Sequence, residues 1–299
     1  MNKEFKYYFL MILATIMWAG AFIAGKLGIN QFSPVVITFL RLLFASIIIF
    51  PIMKYKYKEN WIIKKENILL IFSLGFIGMT GYHLLFFSAL KYTTASNAAI
   101  INAFNPLITA VLATIILKER ISFKKIILII IAFLGVLLTI TNWDLKSLFV
   151  SGLNRGDFLM LMAATCWAIY SIIVKKGVNR MEPLILTTYT FISCVVILMP
   201  FALKEIIFKN ALNVTSNAYL AVIYMAVFPT VMGYTIQQFC IKEIGPSTTA
   251  LFINLTPVFT IIMALIFLHE QFFLLNIVSI SIIIISVFMF TRIGKKGKV

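Results

Sequence analysis

Residues 95–119 read ASNAAIINAFNPLITAVLATIILKE, and residues 246–270 read PSTTALFINLTPVFTIIMALIFLHE. Both stretches are mostly apolar, and each carries a proline near its middle and a glutamate at its end. An offset of 151 residues aligns three pairs of uncommon residues: Ser96 with Ser247, Pro106 with Pro257, and Glu119 with Glu270. The two stretches therefore have the pattern of equivalent helices in an internal repeat.

The correspondence extends over most of the chain with nearly the same offset. An offset of 149 aligns Trp18 with Trp167, Lys26 with Lys175, Pro34 with Pro183, Thr38 with Thr187, and Pro51 with Pro200. An offset of 152 aligns Gly81 and Tyr82 with Gly233 and Tyr234. Chance does not match Trp, Pro and Glu over so long a stretch within three residues of one offset. We predict two repeats, residues 1–145 and 146–299.

The composition places these repeats in a membrane. Hydrophobic residues make up 62% of the chain, whereas an ordinary soluble domain is about 45–50% apolar. A spanning helix needs about 20 mostly apolar residues, and the chain offers ten such stretches: 8–29, 34–53, 67–90, 95–117, 123–140, 157–174, 183–203, 216–241, 246–268 and 272–291. We predict an all-α integral membrane protein with ten transmembrane helices.

Ten helices in two repeats give five helices to each repeat. Because five is odd, the second repeat enters the membrane from the opposite side, and a two-fold axis in the membrane plane relates the two copies. Inverted repeats of this kind are typical of transporters, whose substrate site lies near the midplane between the copies. The sequence therefore predicts transport by alternating access and gives a membrane scaffold little support.

The basic residues indicate the orientation. If the N-terminus is inside, 19 of the 26 Lys and Arg residues fall on the inner side, six fall outside, and Arg41 lies within a helix. This asymmetry places both termini in the cytoplasm. The net charge of +16 then meets anionic lipids on the cytoplasmic side, and we expect no nucleic-acid partner. A homodimer stays an open alternative.

Several stretches resemble the EamA domain of the drug/metabolite transporter superfamily. They are residues 95–135, residues 246–270, residues 156–176 (GDFLMLMAATCWAIYSIIVKK) and the segment TFLRLLFA around Arg41. The pattern departs from the family at Lys118, His269 and Gln271. The resemblance implies a ten-helix exporter or facilitator of amino acids, other metabolites or toxic compounds in the bacterial plasma membrane.

Polar and aromatic residues inside apolar helices mark the expected path, because polar groups at membrane depth need a protein or water partner. Helical spacing places several of them on facing surfaces of the two repeats. The predicted substrate cavity comprises Trp18, Tyr82, His83, Phe86, Asn102, Asn105, Trp167, Tyr170, Tyr234, Gln237, Gln238, Asn254 and Thr256. For the rings, core packing or interfacial anchoring stays open, and so does a backbone partner for His83. For Arg41 we expect snorkelling or bracing of helices rather than substrate contact.

Pro106 and Pro257 interrupt the hydrogen bonding of their helices near the midplane. Each removes one backbone donor, so we predict a kink or a freed carbonyl at both positions and interpret the two prolines as hinges. Glu119 and Glu270 end the same helices on opposite sides of the membrane. We expect them to pair with a nearby lysine or with the backbone, and a gate contact is the alternative.

The sequence carries no signature of an enzyme. It shows no metal-ligand spacing, no pair of catalytic carboxylates and no nucleophile elbow, so we expect neither a cofactor nor a metal. We predict a secondary transporter that exports or facilitates the passage of amino acids or similar small metabolites. Proton-coupled efflux of drugs is the alternative, although all ten acidic residues lie in loops or at helix ends and only His83 could relay a proton.

Overall fold

The structure is a computed structural model, and it describes residues 3–58, 61–117, 122–141, 143–144, 154–178, 180–244, 252, 255–271 and 274–295. The first repeat contains α1 (Lys3–Ile29), α2 (Pro34–Tyr57), α3 (Ile68–Ser73), α4 (Tyr82–Leu90), α5 (Ala95–Asn102), α6 (Asn105–Leu117) and α7 (Phe123–Ile140). The second contains α8 (Arg155–Gly177), α9 (Pro183–Lys209), α10 (Ser216–Met225), α11 (Tyr234–Ile244), α12 (Thr256–Phe267) and α13 (Leu274–Lys295). The regular elements of the described residues are all helical.

Each repeat contains one π-helical segment, which lies within the third of its predicted membrane spans. The first, π1 (Leu74–Gly81), joins α3 to α4, and the second, π2 (Ala226–Gly233), joins α10 to α11. The offset of 152 that aligns Gly81 with Gly233 also aligns the two segments from end to end. The repeat in the sequence is therefore matched by a repeated departure from α-helical geometry.

Six helices of the described chain are long and apolar enough to cross a membrane: Lys6–Ile29, Pro34–Tyr57, Lys65–Leu90, Arg155–Val174, Pro183–Lys209 and Ser216–Gln237. Thr256–Phe267 and Leu274–Phe290 are shorter apolar helices. The prediction of an all-α membrane protein is thus confirmed, and the number of ten spans stays a prediction.

Polar residues at the helix starts determine where several helices begin. The hydroxyl of Ser33 accepts a hydrogen bond from the backbone N–H of Val36 at 3.2 Å, and Pro34 follows as the first residue of α2. The side chain of Thr94 does the same for α5, and Asn154 does so for α8. Such residues satisfy N–H groups that have no partner within the helix.

The two repeats share one core, because helices of one repeat pack against helices of the other. α1 packs against α10, α12 and π2, and its equivalent α8 packs against α4, α6 and π1. α2 lies against its own equivalent α9, and α7 lies against its equivalent α13. This exchange of partners is the contact pattern expected of two copies related by a two-fold axis.

Glycines permit the closest of these approaches. A Cβ atom on Gly78 of π1 would lie 2.0 Å from Cδ2 of Tyr170 in α8. A Cβ atom on Gly233 of π2 would lie 2.7 Å from Nε1 of Trp18 in α1. Both distances are too short for any side chain, so glycine allows the rings of α1 and α8 to lie directly on the π segments.

The helix that carries Pro106 is interrupted just before it. α5 ends at Asn102 and α6 begins at Asn105, and the intervening Phe104 donates its N–H to the carbonyl of Ile101 at 3.1 Å. In the second repeat α12 begins at Thr256, so Pro257 is one of its first residues. Both prolines therefore lie at the start of a helix, where the missing N–H costs no helical hydrogen bond.

Candidate functional site

A cavity lies between the repeats. It is lined by Trp18, Ala21, Phe22, Arg41, Tyr82, His83, Phe86, Asn102, Trp167, Tyr234, Gln237 and Thr256. These residues come from α1, α2, α4 and α5 of the first repeat and from α8, α11 and α12 of the second. The cavity therefore exists only where the two repeats meet.

Nine of the thirteen predicted cavity residues are among the lining residues, namely Trp18, Tyr82, His83, Phe86, Asn102, Trp167, Tyr234, Gln237 and Thr256. Asn105 and Tyr170 are not. The amide of Asn105 donates to the carbonyl of Ala164 at 2.7 Å, and the ring of Tyr170 packs on Trp167 with centroids 5.0 Å apart. The side chain of Gln238 and the whole of Asn254 fall outside the described residues.

Aromatic rings of both repeats form a continuous wall. The ring centroids of Trp18 and Tyr234 are 6.5 Å apart, and those of Trp167 and Tyr82 are 4.9 Å apart. Trp167 also lies 5.8 Å from Tyr234, and Phe86 lies 5.8 Å from Tyr82. Since Trp18 is equivalent to Trp167 and Tyr82 to Tyr234, each tryptophan contacts the tyrosine of the other repeat.

Trp18 is held in place by a backbone carbonyl of π2. Its indole Nε1 donates a hydrogen bond to the carbonyl oxygen of Pro229 at 3.0 Å. A π-helix pairs its backbone groups differently from an α-helix and is frequent at functional sites. The irregular segment thus positions one ring of the cavity wall.

Arg41 lines this cavity, a placement that the sequence interpretation did not expect. Its side chain is buried, with 4% of its surface exposed, and Nε donates to the hydroxyl of Thr230 in π2 at 2.8 Å. Within the part of the chain that the structure describes, no carboxylate pairs with it. A charged residue inside an apolar helix is itself a signal of function, and this signal could have found Arg41.

His83 has one nitrogen paired and one unpaired. Nδ1 lies 2.8 Å from the carbonyl oxygen of Met79, so the expected alternative of a backbone partner is correct for this atom. A carbonyl only accepts, and Nδ1 therefore carries a proton. Nε2 is buried and has no hydrogen-bond partner. In the neutral ring this atom is an acceptor that remains available at the cavity.

Two further buried polar atoms of the cavity wall have no partner. They are Oδ1 of Asn102 and Oγ1 of Thr256. Buried polar groups in folded proteins are nearly always paired, because an unmet hydrogen bond costs free energy. Together with Nε2 of His83, these atoms could accept hydrogen bonds from a ligand or from water inside the cavity.

At one end of the bundle, here called the Glu270 face, side chains hydrogen-bond to the ends of neighbouring helices. The carboxylate of Glu270 accepts from the backbone N–H of Ala95 at 2.7 Å and from the hydroxyl of Ser96 at 2.7 Å. Nζ of Lys26 donates to the carbonyl oxygens of Leu90 and Thr93 at 2.6 and 2.7 Å. The expected pairing of Glu270 with backbone is therefore seen, whereas Glu119 lies outside the described residues.

Two more bridges at this face join α2 to α9 and α1 to the start of α10. The hydroxyl of Ser33 donates to the carboxylate of Glu205, and Gln31 bonds to Thr215 at 2.8 Å. The opposite end contains a pocket, called here the Glu182 pocket, which is lined by Lys56, Tyr57, Glu182, Pro183, Leu184, Thr187, Thr235 and Phe239. Hydrogen bonds thus join the helices at one end of the bundle, whereas a pocket separates them at the other end.

Comparisons with known proteins agree with this architecture. The profile of the EamA-like transporter family matches residues 5–141 and 154–292. The chain is 33% identical to the uncharacterized transporter YyaM of Bacillus subtilis over 262 residues, which cover 88% of this chain and 86% of that protein. It is 28% identical to an uncharacterized transporter of Archaeoglobus fulgidus over 269 residues, 89% of this chain and 90% of that protein.

A solved crystal structure shares the fold. The two superpose with a TM-score of 0.67 at 15% sequence identity, over 98% of this chain and 99% of that chain. The relatives and the family profile point to a multi-pass membrane transporter rather than an enzyme. The profile matches twice and together covers most of the sequence, so this chain belongs to the EamA-like transporter family.

Proposed function

We propose that this transporter exports or facilitates the passage of amino acids or similar small metabolites across the plasma membrane by alternating access. The observation that carries the proposal is the cavity between the repeats. It combines an aromatic wall with a few polar groups, the usual composition of a small-molecule site. It also draws on both repeats, so a movement of one repeat against the other would change which end is open.

The unequal ends of the bundle support a one-sided conformer. The offset of 149 makes Ser33 equivalent to Glu182 and Glu205 equivalent to Lys56. Ser33 and Glu205 hydrogen-bond at the Glu270 face, whereas Lys56 and Glu182 line an open pocket at the other end. The same gap between α2 and α9 is therefore closed at one end and open at the other.

The charge pattern of the sequence assigns these ends to sides of the membrane. The positive-inside rule puts the Glu182 pocket in the cytoplasm, together with both termini, and the Glu270 face outside. The conformer would then be open inwards and closed outwards. The break between Asn102 and Asn105 beside Pro106 and the start of α12 beside Pro257 would act as hinges when the two ends exchange roles.

The experiment is uptake by the purified full chain in liposomes, with a panel of labelled amino acids and labelled cationic drugs offered with and without a pH gradient. We expect saturable uptake of at least one apolar or aromatic amino acid above that of protein-free liposomes. Transport restricted to cationic drugs and driven by the gradient would instead favour proton-coupled efflux. Absence of transport for both classes would contradict the proposal.

A further inference from the structure

Arg41 is the one charged side chain that lines the cavity in the part of the chain that is described. Its terminal guanidinium nitrogens have no hydrogen-bond partner among the described residues, since the single bond recorded is that of Nε to Thr230. A buried arginine at membrane depth is costly unless something compensates the charge. The described lining contains no carboxylate that could do so.

The partner of Nε limits how Arg41 can be used. The hydroxyl of Thr230 accepts from Nε and itself donates to the carbonyl oxygen of Met225, five residues earlier in the chain, at 2.7 Å. The oxygen and the hydrogen of this hydroxyl therefore both take part in hydrogen bonds. Thr230 thus holds the Nε edge of the guanidinium in place. The terminal nitrogens form the fork that binds a carboxylate through two parallel hydrogen bonds.

Helix bracing alone does not explain an arginine here. The equivalent position in the second repeat is Thr190, whose hydroxyl donates to the carbonyl of Leu186 in its own helix at 2.7 Å. α9 therefore packs in the equivalent place without any charge. The cation belongs to one repeat only, as does the imidazole of His83, whose equivalent is Thr235. Features that break the symmetry of the cavity suit an asymmetric ligand.

We propose that Arg41 binds the carboxylate of the transported substrate, which rests on the proposed function of this cavity. The substrate then carries a hydrogen-bond donor, an ammonium or hydroxyl group, that meets the neutral acceptors His83 and Asn102. Its apolar or aromatic body lies against the rings of Trp18, Trp167 and Tyr82. The substrate class is an amino or hydroxy acid with an apolar side chain, and not an organic cation.

The test is a binding series with ligands of one shape and different charge. Phenylalanine and phenyllactate carry the carboxylate, whereas phenylalanine amide and phenylethylamine do not; leucine and isoamylamine repeat the comparison with a smaller body. Binding to the purified full chain in nanodiscs is measured by quenching of tryptophan fluorescence. We expect the carboxylates to bind at least about tenfold more tightly than their partners, the scale of a lost charge-assisted pair.

Variants separate charge recognition from packing. Arg41→Gln should remove the preference for carboxylates, and Arg41→Lys should retain part of it, because lysine keeps the charge without the fork. Thr190→Val, at the equivalent place in the other repeat, is the matched control and should leave the preference unchanged. If Arg41→Gln does not fold, the series with the wild-type protein still shows whether carboxylates bind more tightly than the amide and the amines.

Equal binding of carboxylates and amines by the wild type would overturn this inference, and so would a preference that survives Arg41→Gln. In either case binding itself persists, and the proposed function stands. If none of the six compounds binds and none is transported, the proposed function fails together with the inference. The two failures are therefore distinguishable.

Discussion

Trp167 contacts aromatic rings of both repeats. Its ring lies 4.9 Å from that of Tyr82, 5.0 Å from Tyr170 and 5.8 Å from Tyr234. Aromatic pairs of this kind contribute about 0.5–1.5 kcal/mol beyond the area they bury. The residue therefore joins the two repeats and also shapes the cavity.

We expect Trp167→Ala to reduce transport several-fold while the protein still reaches the membrane. The reason is that the substrate loses a contact with the indole ring and the aromatic wall loses the ring that contacts both Tyr82 and Tyr234. Trp61→Ala is the matched control. Trp61 packs on Phe50 with centroids 5.5 Å apart and does not line the cavity. Uptake measured at equal membrane abundance compares the two. Equal losses in both variants would show that the effect on transport does not come from the cavity.

The variant His83→Gln tests whether transport is coupled to protons. Histidine is the side chain that titrates near neutral pH, and no carboxylate lines the cavity within the described residues. If His83 relays a proton, His83→Gln should abolish the dependence of uptake on a pH gradient and leave uptake itself in place. A wild type that ignores the gradient would instead leave His83 as a hydrogen-bonding part of the wall.

The sequence predicts most cavity residues because polar and aromatic side chains stand out in apolar helices. Asn105 met the same criterion but is satisfied by the backbone of Ala164, and a sequence does not reveal such a partner. The sequence marks Arg41 as a charge inside an apolar helix, but its place at the cavity depends on how α2 packs against π2, which no local pattern encodes.

At the scale of elements, the two π segments are the least predictable feature. Pro229 disturbs the α-helical pattern of π2, but π1 contains no proline and reaches the same geometry. Both begin and end at equivalent positions, and each lies against the first helix of the other repeat, π1 against α8 and π2 against α1. The geometry therefore follows from packing between repeats more than from local propensity.

The bridges of the Glu270 face give an element-scale prediction. The carboxylate of Glu270 lies at the N-terminus of α5, where negative charge is stabilised by about 0.3–1 kcal/mol. Glu270→Gln should weaken the closure and raise the rate at which an external thiol reagent reaches a cysteine placed at Ala21 in the cavity.

Glu66→Gln is the control, since Glu66 lies in the short helical turn before α3 and not at the Glu270 face. It should leave that labelling rate unchanged. A rate that is the same in Glu270→Gln and in the unaltered protein would mean that the bridge to α5 does not hold this end closed.

At the scale of the whole molecule, the offset of about 150 residues predicts the pairing of equivalent helices, and the family profile matches twice. The boundary predicted between residues 145 and 146 falls outside the described residues. Six long apolar helices lie among the described residues, and the described helices that contain Pro106 and Pro257 are only 13 and 12 residues long. How the helices exchange partners between repeats depends on three-dimensional packing.

Alternating access requires the Glu270 face to open and close, and a reversible lock on this face tests that requirement. Ser33 and Glu205 hydrogen-bond there, so cysteines at both positions should form a disulfide in a chain whose native Cys166, Cys194 and Cys240 are replaced. A further cysteine at Ala21 reports access to the cavity from either side.

The measurement is labelling of the Ala21 cysteine by an impermeant thiol reagent, applied from each side of the membrane before and after reduction of the lock. We expect the locked protein to be labelled only from the cytoplasmic side, and we expect reduction of the lock to restore labelling from outside. Labelling from outside that persists in the locked protein would contradict this expectation.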